Sequence, residues 1–297
     1  MNASTIVMVR PLSFCSNPET SGSNSFQNTS SVESQSEIVA RAQLEFDRFQ
    51  NVLTDHGIKI LKFEELAGQN TPDALFPNNW FCKLPDGRVF LFPMFAPNRR
   101  REFRQDVIDA LEAKEVIDLR SYGERGLYLE GTGSLIFDHD FKIAYACLAP
   151  RTSPELLTVF SEQSGYRIVS FESVDKNGQQ IYHTNVMMAL GKKNVIINIE
   201  SIRNPSELAL LTKTFAETGK AIVDITHEQM ENFDGNMLLL QNQNGVKFWI
   251  CSTRAHDSLK TEQREQLSQE GKILHASLNT IETYGGGGAR CLMGEVF

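Results

Sequence analysis

Residues 182–201 read YHTNVMMALGKKNVIINIES. A small polar cluster opens an apolar run, a Gly-Lys-Lys turn follows, and a second apolar run ends in Asn. This is the pattern of a β-hairpin with a polar motif at its entrance. The same order of features returns in FPNNWFCKLPDGRVFLFP (76–93), LEGTGSLIFDHDFKIAYAC (129–147) and NFDGNMLLLQNQNGVKFWICS (232–252). Aligned on Asn79, Gly133, Asn185 and Asn236, these stretches are spaced by 54, 52 and 51 residues, and one further step of 55 lands on Cys291.

That step explains the final stretch, GGGGARCLMGEVF, where four glycines (Gly285 to Gly288) precede Cys291. Leu292, Met293, Val296 and Phe297 are residues that favour burial, so the end of the chain is expected inside the fold. Cys291 then takes, in a fifth copy, the place of the small or polar residues of the other four. Stretches with helical apolar spacing separate the hairpins at 101–112, 153–163, 205–218 and 258–270, several of them starting at Ser or Pro.

Working back to the N-terminus, residues 5–10 (TIVMVR) have strand propensity and stop at Pro11. Residues 16–36, dense in Ser and Asn, cannot bury a core and are expected to form a surface loop, a candidate lid. Ser36 can cap a helix over 37–55 with an apolar stripe of Ile38, Ala42, Leu44, Phe46, Phe49, Val52 and Leu53, and a strand begins near Ile58, Ile60 and Leu61. The whole chain, 1–297, reads as one α/β domain of five repeats of roughly 50–55 residues, in a radial or solenoid arrangement. If the ring closes, the register positions of all five units meet on one axis.

Composition narrows the function. At 41% hydrophobic and 22% charged, the sequence is globular, and a formal charge of -8 offers no basic field for a phosphate backbone. Nucleic acid is therefore not an expected partner. No apolar run reaches membrane-spanning length and the first residues do not resemble a secretory leader, so the expected compartment is the cytoplasm, with no membrane partner. The five cysteines (Cys15, Cys82, Cys147, Cys251, Cys291) never form a CxxC pair, so neither a disulfide framework nor a metal site is indicated. Assembly state, a homodimer included, is not legible.

In a closed ring, Asn79, the Glu130 region, His183, Asn236 and Cys291 would converge. A cysteine needs a partner to form a thiolate at neutral pH. His183, two positions before Asn185, is the candidate proton carrier, and Glu130, three before Gly133, is the carboxylate that would orient it. Three catalytic residue types at equivalent positions of separate repeats have no explanation in core packing. The other histidines (His56, His139, His227, His256, His275) have no such companion in register.

The order EGTG, YHTN and a Gly-rich segment ending in Cys resembles the pentein superfamily of guanidine-modifying enzymes, over residues from about 5 to the end. FPNNW, the NPET segment and YHTNVMM are most similar to its amidinotransferase or citrulline-utilization hydrolase branch. The resemblance implies a five-bladed α/β-propeller with pseudo-fivefold symmetry. It implies that Cys291 attacks the central carbon of a guanidino or ureido group, that His183 protonates the leaving amine and then activates water, and that Glu130 orients His183. The intermediate would be a covalent thiouronium-type species, with no cofactor. The expected function is hydrolysis of a C–N bond in a linear guanidino or ureido compound; the alternatives are amidino transfer and a catalytically inactive small-molecule binder. A thiol peptidase fits poorly, because a cysteine on the last strand of such a ring leaves no groove for a polypeptide.

The sequence departs from the deiminases of that superfamily, which carry aspartates at the positions of Asn79 and Asn185. Amides bring no charge and suit a neutral ureido group, citrulline-like rather than arginine-like, unless Asp138, Asp234 or Glu295 supplies the charge. Arg151 is expected to bind a substrate α-carboxylate, with Arg254 as second choice and Asp234 and Asn236 as further substrate-binding candidates. Arg99, Arg100 and Arg101 read as a solvated helix start.

Overall fold

The computed structural model describes residues 1–28 and 33–297. Among the described residues, fifteen strands form five sheets of three. In each sheet an apolar hairpin is joined by a third strand that runs parallel to the hairpin's second strand. The sheets are β3 (Phe81–Lys83), β4 (Arg88–Leu91) and β5 (Glu115–Asp118); β6 (Leu135–Asp138), β7 (Ile143–Cys147) and β8 (Arg167–Phe171); β9 (Met188–Leu190), β10 (Asn194–Ile197) and β11 (Ala221–Asp224); and β12 (Leu238–Gln241), β13 (Lys247–Ser252) and β14 (Lys272–Ala276). The fifth is stitched from both ends of the chain. β1 (Thr5–Arg10) pairs parallel to β2 (Lys59–Glu64) and antiparallel to β15 (Gly294–Val296), in the register Thr5↔Val296, Ile6↔Glu295 and Val7↔Gly294. The repeat that begins at Cys291 is completed by the first residues of the sequence. The fold is a five-bladed α/β-propeller.

Middle strands carry the core. β7 and β10 are buried along their whole length, as is most of β4 and β13, and these are the continuous apolar runs expected of strands covered on both faces. The third strands were not legible as strands, apart from β2. They are short, and β5 and β11 have exposed ends while β14 has four residues that are not buried, so no long apolar run marks them.

Helices connect hairpin to third strand. That at Gln35–Asp55 is capped by Ser34 rather than Ser36, because Ser34 and Glu37 form a reciprocal capping box. It buries Ile38, Ala42, Phe46, Phe49 and Leu53, while Leu44 is exposed. The helix expected at 101–112 is instead a 3-10 turn at Pro97–Glu102 followed by a helix at Gln105–Ala110, and 258–270 divides into helices at Thr253–Ser258 and Thr261–Ser268. The helices at Pro154–Ser164 and Pro205–Glu217 match expectation within a residue.

Four of the five polar clusters form a short helical turn just ahead of a hairpin: Pro77–Asn79, Gly131–Ser134, Thr184–Met187 and Ala289–Leu292. In the remaining unit the helix His227–Glu231 lies a few residues further upstream of Asn236. These turns meet at the hub. A Cβ built on Gly133 would stand 2.5 Å from Asn79 Nδ2 and 2.7 Å from His183 Nδ1, so the register position of that blade must be glycine for its neighbours to close in.

Candidate active site

The hub holds a small pocket lined in part by Asp73, Asn79, Arg99, Arg151, His183 and Cys291, with Gly285 to Gly287 also lining it. Glu130, at the turn before Gly131, is fully buried. Its Oε2 accepts from His183 Nε2 at 2.8 Å, and its Oε1 accepts from the Phe95 backbone N–H at 2.9 Å. Arg151 Nη1 and Arg99 Nη1 stand 3.6 Å and 3.8 Å from Oε2. Burial alone would raise this carboxyl; the Arg151 charge, the His183 hydrogen bond and Arg99 together outweigh burial and hold it well below the usual carboxylate range. Glu130 is therefore anionic. It fixes the proton of His183 on Nε2 and leaves Nδ1 as the nitrogen able to take up or release a proton.

Burial also dominates at His183, lowering it to about 4 against the raising effect of Glu130, so the imidazole is neutral at neutral pH. At Cys291 burial pushes the thiol up. The sulfur meets amides: Asn236 Nδ2 donates to Sγ at 3.2 Å and Asn185 Nδ2 at 3.4 Å, while Asn236 Oδ1 accepts from the Arg290 backbone N–H at 3.0 Å. The expected resting thiolate is thus replaced by a neutral thiol and a neutral imidazole. Amide dipoles offset only part of the desolvation of a sulfur anion.

Sequence reasoning placed some residues differently. Asn185 and Asn236 hold the sulfur instead of lining the cavity. Asp234 is buried with Ser258 Oγ donating to it at 3.0 Å, and Arg254 stands 3.2 Å from Glu282; neither lines this pocket. Asp138 pairs with Lys220 at 2.6 Å and Glu295 with Arg290 at 2.7 Å, so neither brings charge to it. Arg99 is the clearest correction. It is not a solvated helix start but is 3% exposed, donating to Glu102 at 2.8 and 2.9 Å and to Asn79 Oδ1 at 2.9 Å.

Asp73 was missed. It lies outside the hairpin register, in TPDALF, with Oδ2 accepting from Asn17 Nδ2 at 2.7 Å and Oδ1 buried without a protein donor. The only signal in the sequence was its place a few residues before the first polar cluster. Arg151 is at the hub as expected, its guanidinium 4.8 Å from the Tyr182 ring centroid. Its Nη2 donates to Ser23 Oγ at 2.6 Å and to the Thr20 carbonyl at 3.2 Å. Thr20 and Asn24 of the polar segment thus line the pocket, with Asn24 Nδ2 donating to the carbonyls of Gly285 and Gly286 at 3.3 and 3.4 Å. Residues 29–32 of the expected loop lie outside the described residues.

The sequence model of the family described as N,N dimethylarginine dimethylhydrolase, eukaryotic, matches residues 10–297. The chain belongs to this family. The family is one of the pentein superfamily of guanidine-modifying enzymes. No curated protein sequence matches it. Among solved structures, it is similar to apo ArgZ, an arginine dihydrolase from the ornithine-ammonia cycle in cyanobacteria, at 17% identity and TM-score 0.77, covering 98% of this chain and 40% of that one. It is similar to the N-terminal domain of ArgZ covalently bound to a reaction intermediate, at 17% identity and TM-score 0.74, over 99% and 97% of the two chains. A dimethylarginine-hydrolase relative, DDAH from Pseudomonas aeruginosa complexed with citrulline, has 13% identity and TM-score 0.66, over 99% and 100%. The chain thus spans less than half of full-length ArgZ.

Among the described residues, no group of three or more His, Cys, Asp or Glu is placed to hold a metal ion, and no helix is long and apolar enough to cross a membrane.

Proposed function

We propose that the chain is a cysteine-dependent hydrolase of a C–N bond in a linear amino acid bearing a ureido or guanidino group, with a citrulline-like ureido compound preferred. One observation carries the preference. Arginine has only donors, so the Asn79 atom that meets Arg99 is its oxygen, and the amide presents N–H groups alone; Nδ2 is buried without a protein partner. Two N–H donors complement a ureido carbonyl and not the N–H groups of a guanidinium.

In this reading Cys291 Sγ adds to the central carbon while its proton passes to His183 Nδ1. The C–N bond breaks, its electron pair leaves on nitrogen, and His183 returns the proton there. A ureido substrate leaves a thiocarbamate on Cys291 and a guanidino substrate a thiouronium. Water then adds, giving a proton to His183, and the thiol is released. Glu130 orients His183 throughout. At the other end, Arg151 pairs with the α-carboxylate and the unpartnered Asp73 Oδ1 accepts from the α-ammonium.

The pocket is about 20 Å3, room for one water and not for an amino acid. Residues 17–28, which hold Arg151 through Thr20 and Ser23, are the movable cover in this proposal. The test is incubation with citrulline, arginine, methylated arginines and agmatine, with ornithine, citrulline and ammonia measured. Turnover of citrulline above the guanidino compounds supports the reading. A preference for any guanidino compound overturns the ureido assignment, and inertness of all four substrate types overturns the hydrolase proposal.

A further inference from the structure

A second cavity, of about 300 Å3, shares Arg99 with the pocket of Cys291. Its size is at the lower end of the range of small-ligand sites, about 300–1,000 Å3. Trp80, Phe92 and Met94, all buried, and the half-buried Phe103 give it apolar walls. Three charged side chains stand at it with unmet capacity. Arg100 donates Nε to the Met94 carbonyl at 3.0 Å and Nη2 to the Phe95 carbonyl at 3.1 Å, which leaves Nη1 with no protein acceptor among the described residues. Arg120 spends Nε and Nη2 on Asp118, at 2.9 and 2.7 Å, with its guanidinium 3.9 Å from the Phe103 ring centroid, and its Nη1 is likewise unclaimed. The Glu124 carboxylate has no protein donor among the described residues.

Two guanidinium donors, one carboxylate and an apolar recess match a zwitterion with an apolar tail. We infer that this cavity binds an α-amino acid with an apolar or aromatic side chain, its carboxylate on Arg100 and Arg120, its ammonium on Glu124 and its side chain against Trp80 and Phe103, and that occupancy is felt at Cys291. The coupling follows from three peptide junctions. Trp80 and Arg100 line this cavity while their neighbours Asn79 and Arg99 line the other. Met94 lines it while the next N–H, of Phe95, donates to Glu130. A ligand that shifts any of these three junctions moves a group that holds His183 or faces the reacting carbon. The site goes beyond the proposed reaction and does not depend on it.

The test is titration of the whole chain with L-phenylalanine and L-leucine, read by the indole N–H resonance of Trp80 and assigned by its loss in Trp80→Phe. A second readout is the rate at which iodoacetamide labels Cys291, followed by peptide mapping; neither readout needs the substrate to be known. Saturable shifts of the Trp80 resonance are expected, with binding at least about tenfold weaker in Arg120→Ala and in Glu124→Gln and for 3-phenylpropionate and phenethylamine, each of which lacks one charge. Saturation should change the labelling rate by roughly twofold or more through the shared wall. Absence of a Trp80 shift, equal binding by both variants, or displacement by citrulline would overturn the site. Binding with an unchanged labelling rate would overturn the coupling.

Discussion

The two halves of the hub differ in kind. On one side the carboxyl groups of Glu130 and Asp73 and the guanidinium groups of Arg99 and Arg151 gather around the neutral His183, each within 4 Å of another polar group. On the other, the Cys291 sulfur meets the side-chain amides of Asn185 and Asn236. The charged half fixes one tautomer of His183 and, in the proposed reaction, positions the ends of a zwitterionic substrate. The amide half holds a sulfur that, in the proposed reaction, stays neutral until His183 takes its proton. The difference teaches that the proposed nucleophile and its base need not form an ion pair at rest. Where both are buried, a thiol and an imidazole avoid the cost of isolated charges that a thiolate and an imidazolium would incur.

Removing the sulfur tests the amide half most severely. Cys291→Ala should lower turnover by roughly 10^4-fold or more and abolish labelling at that peptide, with a far-ultraviolet spectrum unchanged. Next in size is the charged half. Glu130→Gln should cost about 10^2–10^4-fold in kcat, since the tautomer of His183 is no longer dictated. It should also lower stability by about 3–5 kcal/mol, because Arg99 and Arg151 lose a buried counter-charge; denaturant unfolding measures this. Asn79→Asp moves charge across the boundary between the halves. It should shift the kcat/KM ratio of arginine to citrulline upward by about tenfold or more, and an unchanged ratio would remove the argument from the Asn79 amide. A smaller effect is expected for Asn236→Ala, which removes one of the two donors to sulfur. The thiol pKa, read from the pH dependence of alkylation, should rise, and labelling at neutral pH should slow by about threefold to tenfold.

The mildest prediction concerns a carboxyl outside both halves. Burial pushes Asp234 up to about 8. A carboxyl whose folded pKa is raised binds more protons folded than unfolded between the two values. Its stabilisation is therefore present below the unfolded value, near 3.9, and lost as pH rises through about 8. Asp234→Asn should flatten the fall in Tm between about pH 4 and about pH 8, measured by thermal unfolding. An equally steep fall in the variant would show that Asp234 is ionised in the native state.

The ring was legible because each blade repeats one arrangement, a polar turn before an apolar hairpin, at intervals of 51–55 residues. The same register led to Glu130, His183 and Cys291, which the fold gathers at the hub. Arg99 and Asp73 were not legible. Neither stands at a register position, and in the sequence Arg99 is one of three consecutive arginines, of which it alone is buried; only the fold distinguishes it. Asn185 illustrates the opposite limit. Its position was found, but whether its amide faces a cavity or a sulfur atom depends on a rotation of a few ångströms that spacing does not encode. The third strands of the blades escaped notice because their partial exposure leaves no long apolar run to read.

The ladder between β1 and β15 has three residue pairs, with Thr5 opposite Val296 at its open end. A pull applied to the two termini would load these bonds one after another, as a zipper opens, rather than all together in shear. The blade that carries the thiol would then peel away at low force while the other four sheets kept their own pairings. Under mechanical load, chemistry should fail before structure does.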